Sequence, residues 1–332
     1  MAHRIWLLLI GLSFVAASLL MWELCADELP LVAGVLLGAF TATSTLLMMT
    51  GNPAGLAISL CVIAVWCFLR GRLLWLGVVF MGLSLVIKPQ ETGFIWLYFL
   101  LASVEYHRLT LRALVVVGVI SIPAILWISI APASRHWVAN LHAMVVATLQ
   151  PGWSSDPGIG NDTSYQFLNL QAIFSVIRDD PRFYGPISYG ISGLLLLPWI
   201  VKSARRTASR RAVYVALATG AALTMLPVYH RIYDWRLLLL MFPAVSLLWA
   251  QRDRHRWVAM GSLLVVTGVS VNHFTTFLRR LQVHTLPGPL WMQMAGRPYC
   301  LLALAVAVVW LWVQLTPAGA EQGSLEPSEV KV

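Results

Sequence analysis

Residues 112–131 read RALVVVGVISIPAILWISIA, and after Arg112 the stretch carries no charge. At a 1.5 Å rise per residue, a helix of about 20 residues is about 30 Å long, the thickness of a bilayer's hydrocarbon core. The segment therefore predicts a membrane-crossing helix, and the same pattern repeats on either side of it. Apolar runs recur near 5–22, 31–49, 54–69, 73–87, 92–105, 187–201, 212–228, 236–250, 257–272 and 300–316, making about eleven with 112–131. The predicted fold is all-α, a polytopic transmembrane helical bundle of about eleven spans.

Composition agrees. The chain has 332 residues, 59% apolar and 11% charged, against roughly 25% charged in a soluble domain. A soluble protein so poor in charge could not cover its surface. With a mean hydropathy of +0.76, this excludes a secreted enzyme, a nucleic-acid binder and a disordered scaffold. The net charge of +9 would suggest an acidic polymer as partner in a soluble protein; here it reads as topology, because basic residues are retained in cytoplasmic loops. Cys25, Cys61, Cys67 and Cys300 form no CxxC pair and read as packing thiols. Residues 1–26 have the outline of a secretory signal, but the next apolar run follows at once, as in a helical hairpin.

Arg70, Arg72, Arg108, Arg112, Lys202, Arg205, Arg206, Arg210, Arg211, Arg252, Arg254 and Arg256 fall in four short loops on one side of the predicted topology. That side is expected to be cytoplasmic, with the N-terminus and the long 132–186 segment external. The first hairpin taken alone points the other way, since Arg4 precedes the first span while Glu23, Asp27 and Glu28 follow it. Residues 1–316 read as one membrane domain, and the polar tail 317–332 reads as a disordered cytoplasmic extension.

Ionisable groups near membrane depth are expensive and mark candidate sites. Three groups stand out, all on the predicted external side. Lys88-Pro89-Gln90-Glu91 could offer a phosphate a point charge oriented by Glu91, or form a local ion pair at a Pro-broken junction. Tyr229-His230-Arg231-Ile232-Tyr233-Asp234-Trp235-Arg236 offers a proton acceptor in His230 or Asp234 and a bidentate phosphate clamp in Arg231. Aromatic anchoring with snorkelling arginines is the plainer alternative. The 132–186 segment brings Arg135, His136, Trp137, His142, Trp153, Asp156, Asn161, Asp162, Asn169 and Gln171, a mixture suited to stacking and hydrogen-bonding a sugar. Within it, Asp179-Asp180-Pro181 is read as a helix cap ahead of a paired-carboxylate metal site. Asn161-Asp162-Thr163 matches a glycosylation sequon that is short enough to arise by chance.

Gly51-Asn52-Pro53, GVVFMGLSLVIKPQE at 77–91, NLQ at 169–171 with DDPRFY at 179–184, and LPVYHRIYDWRLLLL at 226–240 together resemble the bacterial glycosyltransferase family 87, also called DUF2029. The resemblance covers most of residues 30–250 and implies a GT-C fold in the bacterial inner membrane. It implies transfer of a mannose-like hexose from a polyprenyl-phosphate donor to a lipid or glycan acceptor at the external face. It would set His230 and Asp234 as catalytic groups, with Asn52, Lys88, Gln90, Glu91, Asn169, Gln171, Tyr229, Arg231 and Tyr233 around donor and acceptor. No resident cofactor or metal is read; the implied partners are the bilayer and the lipid-linked sugar, with no nucleic acid. The family carries its catalytic Asp after its first membrane helix, and residue 1 here falls at what would be the second span. An inactive chain and one using another base, such as Asp234, are both open. A transporter or flippase, and a non-catalytic binder of lipid-linked sugar, are the alternatives from other classes; the absence of an internal repeat favours an enzyme.

Overall fold

The computed structural model describes residues 1–43, 51–148, 150, 152–158, 160, 161, 163–205, 209–270 and 290–317. The tail beyond 317, Arg206, Asp162 and the far end of the 31–49 run lie outside them. Among the described residues the chain is helical throughout, 80% helix with no strand. The elements are α1 (Ala2–Cys25), α2 (Pro30–Ala42), α3 (Ala54–Arg70), α4 (Leu74–Ile87), α5 (Pro89–Ala102), α6 (Val104–Ile130), α7 (Trp137–Thr148), α8 (Gln171–Ile177), α9 (Pro181–Ser203) and α10 (Arg210–Thr224). A 3-10 helix (Ile232–Leu240) then leads into α11 (Met241–Ala250), followed by α12 (Arg256–Val269), α13 (Leu290–Ala295) and α14 (Pro298–Leu315).

Each predicted apolar run overlies one of these helices, but they differ in reach. Among the described residues, α1, α6, α9, the 3-10 helix with α11, and α14 are long and apolar enough to cross a membrane. The helices α2, α3, α4 and α12 are apolar but shorter. At 1.5 Å per residue, the 13 residues of α2 give only about 20 Å.

The centre is formed by α3, α10 and the 3-10/α11 segment. Residues Ile232–Ala250 are 94% buried within the protein, whereas the apolar stretch of α6 is only 6% buried. Hydrophobicity on every side fits both positions, since α11 faces protein all round and α6 exposes Ile122, Ile125, Leu126 and Trp127 to what composition identifies as lipid. Sequence alone does not separate the two cases.

Close helix contacts depend on glycine. A Cβ on Gly82 of α4 would lie 2.8 Å from Val116 Cβ and 2.9 Å from the Ala113 carbonyl oxygen of α6, so the two backbones meet there. Gly82→Ala is expected to cost about 1–3 kcal/mol through forced separation of the helices. Gly93→Ala on α5, with nothing within 4 Å of the added carbon, should be neutral or stabilising by up to about 1 kcal/mol. Unfolding midpoints of the two variants in one detergent check the contrast.

The α3–α4 turn closes with Gly71 at φ +62°, its N–H on the Phe68 carbonyl, a left-handed C-cap that suits glycine. Arg70 at that turn pairs with Glu23 at 3.4 Å, and Trp66 Nε1 donates to Glu23 Oε2 at 2.6 Å. Glu28 pairs with Arg210 at 2.7 Å and Arg211 with Asp253 at 2.8 Å. The acidic residues after α1 thus lie at the same end as the basic loops and neutralise part of them. At the other end of α1, Trp6 Nε1 donates to the Gly51 carbonyl at 2.7 Å.

The 132–186 segment is structured. It holds α7, α8 and two single 3-10 turns at Pro132–Ser134 and Ser164–Gln166. Asp180 caps α9, accepting from Arg182 N at 2.9 Å with Pro181 at the first position, the capping role read from the triplet. Asn161 is buried and its Nδ2 donates to the Trp153 and Asp156 carbonyls at 3.0 and 2.7 Å, so the side chain is engaged within its own loop. All four cysteines are free and buried, as packing thiols should be.

Candidate functional site

Lys88 precedes a proline, which disfavours helical backbone at that residue. Its φ of −156° and ψ of 79° end α4, and Pro89 opens α5 at the first position. Glu91 follows in the first turn, where the helix dipole favours a carboxylate. The break sets Lys88 and Glu91 on one side, bonded Nζ to Oε1. Gln90, one residue round the helix, points outward and is exposed.

The second half arrives from far along the chain. After α10 the backbone runs antiparallel to 167–170, with Leu168 N on the His230 carbonyl and Leu170 N on the Leu226 carbonyl, each at 3.0 Å. Asp234 sits in the first turn of the 3-10 helix, and its Oδ2 accepts from Arg231 N at 2.9 Å. Lys88 Nζ donates to Asp234 Oδ1 at 2.9 Å. His230 Nδ1 lies 3.1 Å from Glu91 Oε1 and 3.4 Å from Asp234 Oδ2. Two segments about 140 residues apart thus close one network of Lys88, Glu91, His230 and Asp234.

Glu91, His230 and Asp234 are fully buried, and Lys88 keeps 13% of its side chain exposed. Burial works against the imidazolium, but the Glu91 carboxylate and the bonds to Asp234 and Glu91 outweigh it, and His230 is pushed up to about 9. Burial and the adjacent Asp234 push the Glu91 carboxyl in the other direction, up from the usual carboxylate range, so the network gathers Lys88 and His230 around two carboxyl groups of unequal acidity. The ligand atoms of Glu91, His230 and Asp234 lie within 4.8 Å of one another, a spacing that suits a cation, and the Lys88 ammonium is the cation bonded there. Two polar atoms stay unpartnered in this enclosed space, Glu91 Oε2 and His230 Nε2. Each normally marks a role or a missing partner.

The remaining predicted residues divide. Tyr233 is buried with its ring centre 5.6 Å from Lys88 Nζ. Arg231 is half-buried over Tyr229 and Phe167, at 5.6 and 5.5 Å, and donates through Nη2 to the Ser154 carbonyl. Tyr229 packs edge-on against Phe167 at 5.1 Å. Asn52 Oδ1 accepts from Ala54 N at 2.9 Å, a local turn at the start of α3. Asn169 Nδ2 donates to Gln171 Oε1 at 3.2 Å, and Gln171 Nε2 to the Tyr189 hydroxyl at 3.3 Å; this pair is anchored by Cys300 Sγ, which donates to the Asn169 carbonyl at 2.8 Å. Trp137 and Trp153 are about half exposed.

The chain matches no protein-family model, no curated protein and no solved structure. The site therefore stands on its own geometry.

Sequence reasoning missed three contributors. Ser154 and Phe167 hold Arg231 in place, and Arg297 Nη1 donates to the Pro157 carbonyl at 2.6 Å, tying the start of α14 to the 152–161 turn. A lone arginine ahead of an apolar run, Arg297-Pro298, was the available signal.

Proposed function

We propose that this chain is a membrane-embedded glycosyltransferase-like protein that moves a hexose from a polyprenyl-phosphate donor to a lipid or glycan acceptor. It would be a GT-C-like bundle of about eleven crossings in the bacterial inner membrane. The end bearing Lys88 and His230 would be external, by the distribution of basic loops at the other end. The observation that carries this reading is the buried Lys88–Glu91–His230–Asp234 network with an unpartnered carboxyl oxygen on Glu91. A donor phosphate drawing Lys88 toward itself would release Glu91 from its ion pair. Glu91 could then accept the acceptor hydroxyl's proton as the new C–O bond forms at the anomeric carbon and the old one breaks. The bonding pair of the broken bond would leave on the polyprenyl-phosphate oxygen. Asp234, with both oxygens bonded, would position Lys88 and His230.

Purified protein in vesicles with a labelled polyprenyl-phosphate hexose tests the reading. Lys88→Ala and His230→Ala are expected to abolish transfer while leaving membrane insertion unchanged. Near-normal turnover in both would remove these groups from the active site. A second reading, a proton-coupled transporter or flippase, is favoured by the same unpartnered atoms, because buried His and carboxylate chains also serve as proton relays. Proton uptake into sealed vesicles that depends on His230, without transfer, would select it.

A further inference from the structure

A polar cavity lies at the end of the bundle opposite the Lys88 network. α5 starts at the Lys88 network and ends, about 20 Å further along its axis, beside a cavity of about 200 Å³. Six of its lining residues carry the argument: Tyr98 of α5, Lys202 and Ser203 at the end of α9, Ser209 and Arg211 at the start of α10, and Gln314 near the end of α14. Among the described residues the lining holds two cations and no acidic side chain. Asp253, outside the lining, is bonded to Arg211 through Nε, which leaves Nη2 without a partner.

The neutral groups are also set to donate. Ser209 Oγ accepts from Ala212 N at 3.2 Å, so its hydroxyl hydrogen is directed elsewhere. Gln314 is 6% exposed, its Nε2 bonds Ser203 Oγ at 3.4 Å, and its Oε1 has no partner. Exchanging the amide's oxygen and nitrogen lets Ser203 donate to Gln314 and frees the amide to donate in turn. The first turn of α10 adds unpaired backbone N–H groups and the positive end of a 15-residue helix. Buried donors left without partners in a native structure call for an occupant, and the cavity holds several water volumes, more than a halide needs.

We propose that this cavity binds a phosphate group at the basic end of the bundle, apart from the Lys88 network. A phosphate presents several acceptor oxygens to donors from four helices. The phosphate could belong to an anionic phospholipid headgroup or to a free phosphate.

The full-length chain separates the sources. In detergent, after delipidation, equilibrium dialysis with labelled inorganic phosphate reads the free anion. Native mass spectrometry of protein taken from phosphatidylcholine vesicles, with and without phosphatidylglycerol, reads the headgroup. Lys202→Gln leaves the Arg211–Asp253 pair intact, and Ser209→Ala is a second, independent variant. Losing one charge-assisted contact should weaken binding about tenfold or more, in the dialysis arm for a free phosphate or the lipid arm for a headgroup. Circular dichroism unchanged from wild type confirms that each variant folds. Binding in neither arm overturns the proposal, as does equal binding by wild type and both folded variants.

Discussion

Replacing Lys88 with methionine is expected to destabilise the protein by about 3–5 kcal/mol, the usual cost of removing one partner from a buried ion pair. Lys88 is bonded to both Glu91 and Asp234, whose side chains are wholly buried. Without the ammonium, His230 remains as the one cation beside the Asp234 and Glu91 carboxyl groups in this network. The penalty comes from the charges left behind, so the double variant Lys88→Met, Asp234→Leu should regain a large part of it despite lacking two polar groups. Unfolding of the reconstituted single and double variants measures the difference. A double variant less stable than the single would show that the ion pair is not the source.

Raising the pH from about 6.5 through about 9 is expected to remove roughly 3 kcal/mol of stability, on the equivalence of one pKa unit to about 1.4 kcal/mol. Folding raises His230 from 6.5 to about 9. Its favourable contribution is thus fully present below 6.5, where both states are protonated, and fades as the folded imidazolium loses its proton. His230→Gln, which cannot titrate, should flatten the stability curve across this window while lowering its acid side. A wild-type curve already flat from 6.5 to 9 would mean that Glu91 and Asp234 do not hold the proton on His230.

Much of this site was legible because each half carries its spacing within the chain. Lys88 and Glu91 are three apart, and His230 and Asp234 four apart, so each pair meets on one side of a turn. The meeting of the halves was not legible, since it depends on the 167–170 backbone bonding the stretch before the 3-10 helix. Asn52 and Gln90 show the limit of spacing in the other direction. Asn52 is held by its own turn, and Gln90 is rotated away from Glu91 by the helix that positions it. The apolar runs were equally plain, but the runs that became α6 and α11 have similar character and ended at the rim and at the centre. Apolar composition states that water is absent and leaves open whether lipid or protein replaces it.

The 3-10 helix has one further consequence. Such a helix rises about 2.0 Å per residue against about 1.5 Å for an α-helix, so residues 232–250 reach roughly 33 Å where continuous α-winding would give roughly 28 Å. The tighter, more extended winding lets nineteen residues cover the depth of an ordinary bilayer while their first turn carries Asp234 to Lys88. Rewinding those nine residues as an α-helix would shorten the segment by about 4.5 Å and pull Asp234 out of register with α5, so the winding itself acts as a spacer between the two ends of the bundle.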